Sequence, residues 1–166
     1  MKTRKITVMA MTIAVAMILS YIESQIPPLF TAVPGIKMGL ANIAVVFALY
    51  KLGWKEAGFV SLLRVFLVSV MFSPLGVMGL FYSLAGAVLS LLVMIGLKAA
   101  GLFSSVAVSV AGGVFHNVGQ IGMACILLKT KEIVYYLPVL ALSGIVAGVL
   151  IGLVAAALVK RIKLEV

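Results

Sequence analysis

The chain has 166 residues, 64% hydrophobic and only 10% charged, against about 25% charged in an average soluble domain, which excludes water as its main solvent. The formal net charge of +9 could point to nucleic acid. However, Lys and Arg fall singly or in small groups between apolar runs, with no basic face, so the charge is read as membrane orientation and nucleic-acid binding is excluded.

The length allows a single domain, residues 1–166. The first apolar run, Ile6 to Tyr21, follows Met1-Lys-Thr-Arg-Lys5. It is too long for a signal-peptide core and no small-x-small cleavage site follows Ser20, so it is read as a retained first helix. A Pro- and Gly-rich stretch from Glu23 to Gly39, with Pro27, Pro28, Pro34 and Gly35, marks a loop. Leu40 to Lys51 is a second apolar segment. At ~1.5 Å per residue it reaches only ~18 Å, too short to cross a bilayer unless part of the loop enters with it. Further helices are predicted over Glu56 to Phe72, Val77 to Leu97, Ser104 to Leu128 and Val134 to Val159. The fold class is therefore an all-α membrane protein, a bundle of six transmembrane helices.

With a cytoplasmic N-terminus, the inner segments hold Lys2, Arg4, Lys5, Lys51, Lys55, Lys98, Lys160, Arg161 and Lys163, and the outer ones only Lys37, Lys129 and Lys131. That bias predicts both termini inside. Gly144-x-x-x-Gly148-x-x-x-Gly152 sets three glycines on one face of the last helix, and Gly112, Gly113, Gly119 and Gly122 are read as doing similar work in the fifth. Small residues let helix backbones approach where lipid supplies no hydrophobic drive. Ala10-x-x-x-Ala14 on the first helix reads by spacing either as packing or as a docking groove for a partner helix.

Polar groups inside spans are costly and are candidates for function. Here they are Ser20, Tyr21 and Glu23, Asn42, Arg64, Tyr82 and Ser83, the set His116, Asn117 and Gln120, and the pair Tyr135 and Tyr136. His116 lies ~18 Å above the start of its helix and Arg64 ~12 Å above the start of its own. The polar groups thus fall between the midplane and the outer surface, which predicts an outward pocket roofed by the Glu23 to Gly39 loop. The candidate ligand-binding residues are Glu23, Lys37, Asn42, Arg64, Tyr82, His116, Asn117 and Gln120. Arg64 and Lys37 would make the pocket cationic, suited to a phosphate or carboxylate. The alternative is that the same groups only tie helices together, as Asn and Gln do in bundles.

The chain has no aspartate, so it lacks the paired Asp-rich motifs that hold magnesium in chain-lengthening prenyl synthases. It has no P-loop sequence, and four Glu, one His and one Cys make no metal set. Cys125 is read as a packing residue. His116 has no second titratable group at a spacing suited to acid–base work. No enzymatic activity, cofactor or metal is expected.

Five motifs in order, Pro34-Gly-Ile-Lys-Met-Gly-Leu-Ala-Asn42, Phe47-Ala-Leu-Tyr-Lys-Leu-Gly53, Ser61-Leu-Leu-Arg-Val65, Tyr82-Ser-Leu-Ala-Gly86 and Gly113-Val-Phe-His-Asn-Val-Gly-Gln120, resemble the Gx transporter family. That family is also catalogued as heptaprenyl diphosphate synthase component I. It is similar in architecture to the substrate-binding S components of energy-coupling-factor vitamin transporters. The resemblance implies a multi-pass protein of a prokaryotic cell membrane that binds a small vitamin-like or isoprenoid-related anion. It also implies a membrane coupling protein with ATPase subunits as partner, docked on Ala10 and Ala14. The alternative is a non-catalytic accessory subunit of a prenyl diphosphate synthase or of a quinone- or flavin-linked redox system.

Overall fold

The computed structural model describes residues 2–25, 39–72 and 76–162. Among these, six α-helices follow one another: α1 (Lys2–Gln25), α2 (Asn42–Lys51), α3 (Trp54–Phe72), α4 (Gly76–Ala100), α5 (Ser105–Leu128) and α6 (Leu137–Arg161). A short 3₁₀-helix, Glu132–Tyr136, leads into α6. No strand occurs among the described residues.

Four segments are long and apolar enough to cross a membrane: Thr3–Gln25, Gly76–Ala100, Ser105–Leu128 and Glu132–Arg161. Large apolar side chains such as Met11, Ile18, Val70, Leu92, Ile126 and Leu150 are exposed on the outside of the bundle. In water such a surface would aggregate; in lipid it is the expected coat. The other two helices differ for physical reasons. α3 carries Lys55, Glu56 and Arg64 within 19 residues, and α2 has only 10 residues.

Local chemistry sets the helix ends. The Ser104 hydroxyl accepts the Ala107 N–H and caps α5, and Lys129 in a left-handed conformation ends it. Gly53, at φ +120°, makes the sharp turn from α2 to α3 that a side chain would strain.

The short α2 is the centre of the packing. Asn42 and every residue from Ala44 to Leu49 are buried, and the helix touches α1, α3, α5 and α6. α1 packs on α2 and α3, while α4, α5 and α6 pack in sequence. The main apolar core joins Val45, Val46 and Leu49 to Val60, Met94, Val108 and Ala155. At that end the Lys98 ammonium donates to the Leu49 carbonyl near the C-terminus of α2, where a cation offsets the helix dipole. Lys5 also pairs there with Glu56. One end of the bundle thus gathers Lys5, Lys51, Lys55 and Lys98.

Glycine governs the two tightest crossings. A Cβ on Gly148 would come within 2.6 Å of the Val110 Cα, one on Gly152 within 2.8 Å of the Val106 Cα, and one on Gly113 within 2.5 Å of the Gly144 carbonyl oxygen. The α6 glycine face therefore lies directly on α5, as the spacing predicts. A Cβ on Gly119 would come within 2.6 Å of the Ala85 carbonyl, which brings α4 equally close to α5. Gly122 departs from the expectation: it is exposed and a Cβ there would meet nothing within 4 Å.

Candidate functional site

Away from the lysine-rich end, the core becomes polar. Ser20 and Glu23 on α1, Asn42 at the start of α2, Arg64 on α3, and His116, Asn117 and Gln120 on α5 are all buried. Two backbone features position them. Gly39 adopts φ +83°, and a Cβ there would lie 3.0 Å from the Asn42 amide nitrogen and 3.9 Å from the His116 ring. Glycine is thus required both by its conformation and by the side chains that converge on it. Its carbonyl accepts the Asn42 N–H at 2.8 Å, opening α2, and its own N–H donates to the Glu23 carboxylate. The end of the loop is thereby fastened to α1.

The second feature is Gly86 on α4. A Cβ there would come within 2.8 Å of the His116 carbonyl oxygen and 2.9 Å of the Gln120 Cγ. Lacking one, α4 closes directly over the α5 face that carries both side chains.

Between these elements lies a cavity of about 20 Å³, lined by Ser20, Glu23, Gly39, Arg64, Val65, Val68, Ser83, His116 and Gln120. That space suits a water molecule. A larger ligand needs the surrounding groups to part. Several lining atoms are buried without a hydrogen-bond partner among the described residues: the Ser20 hydroxyl, the Arg64 Nε, and both polar atoms of the Gln120 amide. Left unmet, such groups are expensive, and a water molecule or a ligand in the cavity would offset the cost.

Of the residues singled out from sequence, the cavity brings together Glu23, Arg64, His116 and Gln120. Asn42 stands beside it, across Gly39. Asn117 does not line it: its amide donates to the Leu140 carbonyl of α6 at 2.6 Å. One residue along a helix turns the side chain by about 100°, so Asn117 faces α6 while His116 and Gln120 share the cavity face. Tyr82 packs instead with Ile121, Ala124, Ile133 and Leu140, and its neighbour Ser83 takes the cavity side. Lys37 lies outside the described residues.

Ser20 and Ser83, polar groups within spans but outside the ligand-binding candidates, complete the lining with Gly39, Val65 and Val68. Two of them carried a readable signal. Ser20 stands one turn before Glu23, and Val68 one turn after Arg64, each on the same helix face as a candidate.

The charge balance also differs from a purely cationic pocket. The Glu23 carboxylate acts electrostatically on Arg64. Among the described lining residues, one acid therefore stands against one guanidinium. An anion arriving at Arg64 competes with Glu23. Among the described residues no group of three or more His, Cys, Asp or Glu is placed to hold a metal.

A family model described as heptaprenyl diphosphate synthase component I matches residues 12–158. No curated protein and no solved structure matches the chain.

Proposed function

The chain belongs to the heptaprenyl diphosphate synthase component I family, and we propose that within it this protein is a substrate-binding membrane subunit of S-component type. Its role is to take up a small vitamin-like or isoprenoid-related anionic molecule, with energy supplied by separate partner proteins. The observation that carries this reading is the cavity whose Ser20 hydroxyl, Arg64 Nε and Gln120 amide atoms have no hydrogen-bond partner among the described residues. The anion goes to Arg64 and displaces Glu23. Glu23 also accepts the Gly39 N–H, so a ligand that competes for Arg64 bears on that contact as well.

Six spans with both termini cytoplasmic fit the distribution of charge, since Lys160 and Arg161 end α6 and Lys98 closes α4 at the lysine-rich end. α2, with ten residues, supplies only ~15 Å of helix, less than a full crossing of a bilayer. Ala10 and Ala14 are both exposed on α1, which supports their reading as the docking face for a membrane coupling protein with ATPase subunits. Catalysis is assigned to no residue of this chain.

Native mass spectrometry of the freshly extracted protein tests the binding role. A small molecule retained by the wild type and lost from Arg64→Ala is the expected result. The family's description favours a second reading, a non-catalytic membrane subunit for a prenyl diphosphate synthase. Affinity capture separates the two: a coupling protein with ATPases supports the first, and a prenyl synthase without them supports the second.

A further inference from the structure

The Gln120 amide is a buried polar group that the described residues leave without a partner. The residue is 1% exposed, and neither Oε1 nor Nε2 has a hydrogen-bond partner among the described residues. Its stem packs closely on α4: a Cβ on Gly86 would come within 2.9 Å of the Gln120 Cγ. The neighbouring Gly119 lets the α4 backbone at Ala85 press against α5. Two glycines thus seat a glutamine that lines the cavity with Arg64, Ser20 and Ser83.

A primary amide presents an acceptor and donors side by side in one plane. What satisfies both at once is a second planar edge with the complementary order, an N–H next to a C=O. Lactams, ureides and oxo-heteroaromatic rings have this edge. A hydrocarbon chain leaves both Gln120 atoms unpaired, and a carboxylate satisfies Nε2 while setting negative charge against Oε1. Resting on the reading of the cavity as a ligand site, we infer that the ligand carries a cis-amide-type donor–acceptor edge and that Gln120 is the residue that reads it. Recognition is then divided within one cavity, with Arg64 taking charge and Gln120 taking the ring edge. An isoprenoid tail is not the part of the ligand that meets α5.

Saturation-transfer NMR on the full-length protein in lipid nanodiscs tests this with 2-pyridone, which has the edge, and N-methyl-2-pyridone, in which the donor is blocked. The expected result is binding of 2-pyridone roughly tenfold tighter than its N-methyl analogue, the size of one or two neutral hydrogen bonds. That preference should vanish in Gln120→Met, which keeps length and burial but loses both polar atoms. Equal binding of the two probes, an undiminished preference in Gln120→Met, or no binding of either (a hydrated glutamine only) would overturn the inference. The probe comparison needs no variant, so a poorly folding Gln120→Met does not rescue the idea. A copurifying molecule that lacks any such edge would leave the ligand-binding role standing and remove this inference alone.

Discussion

Arg64 and Glu23 reach one cavity from neighbouring helices, and their opposition sets the first expectation. Removing the Glu23 charge while keeping its shape, in Glu23→Gln, should raise the occupancy of an anionic ligand by roughly tenfold, a ~1.4 kcal/mol change, read by native mass spectrometry. Lower occupancy would mean that Glu23 itself holds the ligand. Asn117 belongs to a different class. Its bond to the Leu140 carbonyl ties α5 to α6, so Asn117→Ala should cost about 1–3 kcal/mol of stability in thermal unfolding and leave ligand occupancy unchanged. Glu23, Arg64, His116 and Gln120 were legible from sequence because charged and amide groups stand out in an apolar helix. Their division from Asn117 and Tyr82 was not, because faces separated by one residue are resolved only by what neighbouring helices offer. The Leu140 carbonyl and the cluster around Ile121 are long-range partners with no local signature.

At the scale of elements, the α5–α6 contact rests on glycine. Gly148→Leu would drive a side chain into the Val110 backbone, and overpacking of this kind typically costs ~1–3 kcal/mol. Thermal unfolding in detergent should report that loss, whereas the exposed Gly122, changed to Ala, should leave stability unaltered or slightly raised. Equal effects at both sites would remove the packing account. The helices themselves were readable, since long apolar runs leave few alternatives, and their observed bounds lie within a few residues of the predicted ones. The role of α2 was readable only in part. Its shortness is evident in the sequence, but its burial on nearly every face follows from α1, α3, α5 and α6 closing around it. α1 remains the least enclosed partner of that centre. Ala10→Trp combined with Ala14→Trp should abolish capture of a coupling protein without lowering ligand occupancy, and loss of both together would point to a folding role.

For the whole molecule, the described charges and polar groups divide the bundle along its length. Lys5, Lys51, Lys55 and Lys98 collect at one end, and the Arg64–Gln120 cavity lies toward the other. Cysteines placed at the exposed Lys160 and Lys131 should be labelled by an impermeant thiol reagent from opposite sides of intact membranes, Lys131→Cys from outside. The same side for both would break the six-span topology. The proposed function requires that this polarised bundle hold a small molecule at Arg64. Native mass spectrometry of protein released fresh from its membrane tests it most directly. One small non-lipid molecule should be bound to the wild type and be at least roughly tenfold depleted in Arg64→Ala. A wild-type protein that carries none, or an Arg64→Ala protein that carries it undiminished, would contradict the claim.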